Sequence, residues 1–169
     1  MRKIIPALLF FISCSAPKQI INNAPSSYTF ETQKPFEQVW SNVIDYVTSK
    51  GVSIKNIDKA SGIIVTDDYS LTGSYTYEDK NGNLQDPGAY VLINKIKSAL
   101  GIIIPPSSIN GNYNIRVKPL KDNSGTSVTV NLVNLKGYVI FGTGYNRYNK
   151  YYIIKSTNVF EKQLAEKLL

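Results

Sequence analysis

Side chains able to do acid/base or metal chemistry are few in this sequence, and histidine is absent altogether. That removes the commonest general base and the commonest metal ligand together. The acidic residues that fall side by side are Asp67–Asp68 and Glu78–Asp79. Neighbours on a strand point to opposite faces, so neither pair is a ready proton-transfer dyad, and both read as solvated strand ends. Asp79, Asn81, Asn83 and Asp86 set oxygen ligands along one loop but lack the EF-hand order and its bidentate glutamate, so a plain hairpin loop is expected. Gly142-Thr143-Gly144, after Tyr138 to Phe141, lacks the Gly-Lys-Ser/Thr ending of a phosphate loop and reads as a turn. A serine nucleophile would need a lysine base, and no S-x-x-K motif falls on a recognisable helix. The expectation is no catalytic residue, no metal ligand and no cofactor.

Recognition chemistry is better represented. Gly137 to Lys155 (GYVIFGTGYNRYNKYYIIK) interleaves Tyr138, Tyr145, Tyr148, Tyr151 and Tyr152 with Arg147, Lys150 and Lys155. Tyrosines offer large amphipathic contact area at low entropic cost, and basic neighbours attract anionic groups. These eight residues form the candidate binding surface, for a glycan, an acidic protein or lipid heads. The alternative is a tyrosine-rich strand packed on a sheet with its basic residues in water. A second candidate is Ala99 to Pro106 (ALGIIIPP), which fits either a buried edge strand or an exposed apolar loop touching a partner or membrane.

The sole cysteine, Cys14, has its own context. Met1-Arg2-Lys3 is a basic start, and Ile4 to Ile12 (IIPALLFFI) is an apolar run. As a helix it rises about 14 Å, half a hydrocarbon core, which suits a signal peptide better than a membrane span. Phe11-Ile12-Ser13-Cys14 resembles a lipobox, with cleavage before Cys14 and a thioether-linked diacylglycerol on its sulfur. An ordinary secretory signal with a chance cysteine is the alternative. Residue 15 is serine. It is not the aspartate associated with inner-membrane retention in enteric bacteria, which favours the outer membrane.

The hydrophobic fraction of 43% is that of a folded domain. A single cysteine allows no intramolecular disulfide, so stability must come from packing. The chain carries +7; without Arg2 and Lys3, 17 basic and 12 acidic side chains leave +5. That balance suits anionic lipid, cell-wall polymer or an acidic protein. Nucleic acid is not expected, because the signal sends the chain out of the cytoplasm.

Elements that would position these groups follow from periodicity. Ser15 to Ser27 reads as a tether, able to extend up to about 40 Å. Tyr28 to Thr32 alternates as a short strand. Phe36, Val39, Trp40, Val43, Ile44 and Val47 form one helical stripe, with Pro35 in the first turn and Gly51 as the left-handed stop. Val52 to Ile57 and Ile63 to Thr66 flank the turn Asp58 to Gly62 as a hairpin. Tyr75 to Glu78 and Ala89 to Asn94 flank a polar loop in which Asn81-Gly82 favours a tight turn. Asn112 to Leu120 and Thr126 to Leu132 form a second hairpin around Lys121 to Gly125, with Val130, Leu132 and Leu135 facing one side. Thr157 is placed to cap a last helix with Val159, Phe160, Leu164 and Leu168 on one face.

With that order in place, Lys34 to Tyr69 (KPFEQVWSNVIDYVTSKGVSIKNIDKASGIIVTDDY) resembles the domain of BamC (NlpB)-type envelope lipoproteins: a Trp-bearing helix ending in glycine, a strand, an Asp-containing turn and a Gly-Ile strand. Tyr113 to Leu132 is similar to that family's hairpin near the domain's end. That family has two such domains behind a long N-terminal segment, and one domain fits here. The resemblance implies an α+β helix-grip fold, an antiparallel curled sheet packed on a long N-terminal helix and a C-terminal helix. It also implies a non-enzymatic scaffold role at the outer membrane. The expected organisation is signal peptide 1–13, lipidated tether 14–27 and a single domain 28–169. The expected partners are the membrane, through the lipid on Cys14, and an envelope protein, with the periplasmic face preferred to the cell surface. Two further readings stay open: a surface lipoprotein recognising a host, competitor or glycan ligand, and a carboxylate-dependent enzyme acting on cell-wall glycans.

Overall fold

The apolar stripe after Pro35 winds into α1 (Phe36–Ser49) and buries Val39, Trp40, Val43, Tyr46 and Val47. Pro35 stands at the cap (φ −66°, ψ 153°), where its missing N–H costs nothing, and its carbonyl accepts the first helical bond from Val39. Gly51 at φ +74° ends the helix. The long N-terminal helix expected from the resemblance is not found, for α1 has fourteen residues and an ordinary length of about 21 Å. The computed structural model describes residues 20–22, 24–25 and 27–168.

Around the helix the fold is α+β, with an antiparallel sheet and two helices. The strands of the main sheet are β1 (Ser27–Thr32), β2 (Ile54–Asp58), β3 (Ile63–Thr66), β4 (Tyr69–Ser70), β7 (Ser108–Pro119), β8 (Thr126–Phe141) and β9 (Tyr148–Tyr151). The order is β1-β8-β7-β3-β2, with β4 added on β7 and β9 on β8. The turn between β2 and β3 is tied by Asp58, whose carboxylate accepts from the Ala60 and Ser61 amides. Gly62 closes that turn at φ +70°, against the Val117 carbonyl.

The long β7–β8 hairpin is the spine. Tyr113, Ile115 and Val117 on one strand and Val128, Val130 and Leu132 on the other face the helices and are buried. The pairing then slips, with Asn110 opposite Lys136 but Asn112 opposite Val133. The extra β8 residue is absorbed by Asn134 in the left-handed region (φ 54°), whose side-chain Nδ2 donates to Asn112 Oδ1 at 2.8 Å. The bulge reverses the phase of β8, so Leu135 stays against the core with Leu132, and Val139 points inward.

A second sheet has the order β10 (Ile154–Ser156), β6 (Val91–Ile93) and β5 (Tyr75–Thr76). Here the structure departs from expectation, for β5 and β6 pair in parallel, Tyr75 opposite Val91 and Thr76 opposite Leu92. The Asn81-Gly82 turn forms, but it closes a smaller hairpin at the Glu78–Leu84 bridge. Asp79 Oδ1 accepts there from the Asn81 and Asn83 amides. The chain then returns past Thr76 and enters β6 in the direction of β5, because Thr76 Oγ1 accepts the Asp86 amide.

The last helix, α2 (Val159–Leu168), lies beside α1 and buries Phe160, Leu164, Ala165 and Leu168. Phe160 stacks on Tyr113 with ring centroids 4.0 Å apart. Thr157 does not cap α2, since its hydroxyl donates to the Ala89 carbonyl. Ser156 does that work: its Oγ accepts the Asn158 amide and donates to Glu161 Oε1.

The expected tether is shortened at its domain end. Ile20 is only 5% exposed. The Ile21 and Asn22 amides donate to Glu78 Oε1 and Oε2 at 2.8 and 2.9 Å, and Lys155 Nζ donates to the Asn22 carbonyl at 3.1 Å. Asn158 holds the Pro25 carbonyl. Polar residues that read as a spacer are therefore bound to the domain by backbone hydrogen bonds. Cys14 and the signal segment lie outside the described residues.

Candidate functional site

Beyond Val139 the strand β8 leaves the body of the sheet and pairs with β9, Ile140 opposite Asn149 and Phe141 opposite Tyr148. Gly142 and Gly144, at φ +84° and +58°, bend the chain between them, and a single 3-10 turn, Gly144–Asn146, completes the connection. The product is a two-stranded ribbon at the sheet edge. Every residue of β9 is exposed.

The ribbon divides the sequence-derived surface into three groups. Tyr145, Arg147, Tyr148, Lys150 and Tyr151 are exposed and clustered on it. Tyr138 is half-buried at its base, edge-on to Tyr151 with centroids 6.4 Å apart. Tyr152 and Lys155 do not belong to the surface. Tyr152 is 8% exposed, donates from its hydroxyl to the Ile104 carbonyl at 2.7 Å, and is pushed up to about 12 by burial. Lys155 is spent on Asn22. Alternation explains the split: β9 lies at an edge with nothing over it among the described residues, whereas residues 152–156 enter the second sheet, where alternate side chains meet the core.

The exposed rings are held in place by neighbours. Phe141 and Tyr148 stack with centroids 5.6 Å apart, and Lys150 Nζ lies 6.0 Å from the centre of the Phe141 ring. The ribbon therefore presents aromatic faces, a guanidinium and an ammonium on ordered backbone.

Charge is distributed unevenly. Residues 87–160 carry nine basic side chains and one acidic one, Asp122. Among the described residues the one ion pair is Lys59 with Glu37, so these cations have no carboxylate partner there. The sequence reasoning left out Lys95 and Lys97, which flank the buried Ile96 and lead into the Ala99–Pro106 candidate. Their signal was the K-I-K spacing, one apolar residue inward between two cations pointing outward.

The carboxylates act structurally where their contacts are seen. Glu78 binds the incoming chain with both oxygens. Asp79 ties its own loop, and the Asn83 side chain and loop amides hold its carboxyl below the usual range. Asp67 and Asp68 border a polar depression with Lys55, Asn112, Asn114, Asn134 and Lys136 on the open face of the sheet. Among the described residues no three of His, Cys, Asp or Glu are grouped to hold a metal ion, and no helix is long and apolar enough to cross a membrane.

Comparison with known proteins adds no relative: no family model matches the chain, and no curated protein matches it significantly.

Proposed function

We propose that this chain is a bacterial envelope lipoprotein, held by a lipid on Cys14, whose domain is a non-enzymatic binding and scaffold module acting at the outer membrane on its periplasmic side. The observation that carries the binding role is the β8–β9 ribbon, an exposed edge presenting Tyr145, Arg147, Tyr148, Lys150 and Tyr151 without an acidic residue among them. Tyrosine and arginine are the side chains that anchor protein interfaces, and the unpaired edge of β9 offers backbone groups for an added strand. The surplus of positive charge selects an acidic envelope protein as partner. The resemblance of Lys34 to Tyr69 to BamC-type domains supports the same reading, and so does the packing of α1 against an antiparallel sheet.

Two experiments test it. Cys14→Ser should move the domain from the membrane to the soluble fraction with Trp40 still buried. Retention of a chain shown by mass to have lost its signal would refute the anchoring. A photoreactive group at Tyr148 should crosslink an envelope protein, while the same group at Lys121, in the β7–β8 turn, should not. Equal capture at both positions, or none at Tyr148 on intact envelopes, would refute the binding face.

A further inference from the structure

The segment Ile96–Ile104 is a small closed hairpin. Lys97 and Ile103 form a bridge, the Ser98 amide donates to the Ile102 carbonyl at 2.9 Å, and Gly101 turns the tip at φ +78°. Its base is fixed by the buried Ile96 and by the hydrogen bond from Tyr152 to the Ile104 carbonyl. Its tip is apolar and bare: Leu100 is 86% exposed, Ile102 63% and Ile103 39%. A fixed backbone carrying large aliphatic side chains into water calls for a partner.

The position of the hairpin says which partner. Lys95 Nζ lies 5.8 Å from the centre of the Tyr77 ring, and the next residue, Glu78, holds the Ile21 and Asn22 amides. The hairpin root and the point where the N-terminal chain joins the domain are therefore neighbours. Cys14 precedes Ile20 by six residues, which cannot reach beyond about 20 Å even when fully extended. The docking of Ile20, Ile21, Asn22 and Pro25 thus halves the reach expected of the tether and confines this corner of the domain to the vicinity of the lipid. Lys95 and Lys97 beside an aliphatic tip match an anionic bilayer surface, with cations at the headgroups and Leu100, Ile102 and Ile103 at the acyl boundary.

We infer that the Ile96–Ile104 hairpin is a second membrane contact, inserting its Leu100–Ile103 tip into an anionic lipid surface beside the anchored N-terminus. This rests on the lipoprotein reading above. The diacylglycerol on Cys14 supplies two acyl chains and holds firmly by itself, so the contribution of the hairpin is to fix the orientation of the domain on the bilayer.

The test uses the full chain processed in cells, in which lipidation of Cys14 leaves an introduced cysteine as the only free thiol. An environment-sensitive fluorophore is placed at Ala99, at the hairpin tip, or at Lys121, just past the far end of β7, a strand of twelve residues that runs about 35–40 Å. Both proteins are reconstituted into vesicles of mixed zwitterionic and anionic lipid. The expected result is a blue-shifted emission at position 99, quenched by nitroxide-labelled lipid, with position 121 unshifted and unquenched. Exchanging the anionic lipid for zwitterionic lipid should reduce the quenching at 99. Retention on vesicles with a water-like emission at 99 would overturn the inference while leaving the anchor intact. A blue shift that needs no lipid and grows with protein concentration would assign the tip to a second copy of the chain, and also overturn it. Loss of the protein from vesicles altogether, with Cys14 free to react, would remove the lipoprotein reading and this inference with it.

Discussion

Replacing Glu161 by glutamine should stabilise the protein at neutral pH and flatten its stability between pH 4.5 and neutrality. Glu161 sits in the first turn of α2 and is fully buried, with no cation paired to it among the described residues. Its Oε1 accepts from Ser156 Oγ at 2.9 Å, but Oε2 has no hydrogen-bond partner among the described residues. The phenol of Tyr113, from β7, feels its charge and is also unpartnered, while Lys162, the next residue, adds a small opposing attraction. Burial therefore raises the carboxyl above its ordinary 4.5. Below that value both folded and unfolded chains hold the proton, and the contribution to stability is complete. As pH rises the unfolded chain releases the proton first, and stability falls by up to about 1.4 kcal/mol per pH unit until the folded group also ionises. Glutamine cannot ionise and so escapes that loss: Glu161→Gln should gain about 1.4 kcal/mol at neutral pH for each unit by which burial raises the carboxyl, and almost nothing near 4.5, where both side chains are neutral. Glutamine keeps an oxygen for Ser156 and puts a neutral amide where Oε2 stood. Urea unfolding followed by Trp40 fluorescence reads the difference. Asp58, Asp79 and Asp122 are held below the usual 3.8 by turn hydrogen bonds, so their losses begin at lower pH and do not overlap. A variant destabilised equally at every pH, beside a parent whose stability is flat, would show that Oε2 is well satisfied and would refute the reasoning.

Two other substitutions probe the frame that holds the ribbon and hairpin. Gly62→Ala should destabilise by about 3 kcal/mol, because the new Cβ strikes the Val117 carbonyl at a residue already at φ +70°, and a lowered urea midpoint at constant slope would report it. Trp40→Ala should cost about 3–5 kcal/mol, since Trp40 is 6% exposed and stacks on Phe36 at 5.7 Å; circular dichroism melting is the readout, the indole being lost.

The sequence alone was sufficient for features whose signals are local. The 3.6-residue stripe of α1, its Pro35 entry and its Gly51 exit each act within a turn or two of chain, and the helix lies where they place it. The β7–β8 hairpin was equally legible, because strict alternation around a polar turn leaves one face apolar whatever covers it. The tyrosine-rich segment stood out by composition as a candidate surface. Which of its rings point outward was not, for Tyr151 and Tyr152 are neighbours with opposite fates, and only the junction between the two sheets separates them.

Tertiary structure alone decided the rest, and in each case a distant residue set the outcome. The parallel pairing of β5 with β6 depends on Thr76 receiving Asp86 after the chain has already turned once. Thr157 gave up the cap because Ala89 takes its hydroxyl, and Ser156 assumed it because Glu161 is buried within reach. The polar stretch before β1 looks like a spacer to any reading of composition, yet Glu78, Lys155 and Asn158 bind Ile21, Asn22 and Pro25 to the domain. Periodicity states what a segment must bury, but the partner that buries it, or satisfies its backbone, lies dozens of residues away and is chosen only when the chain closes on itself.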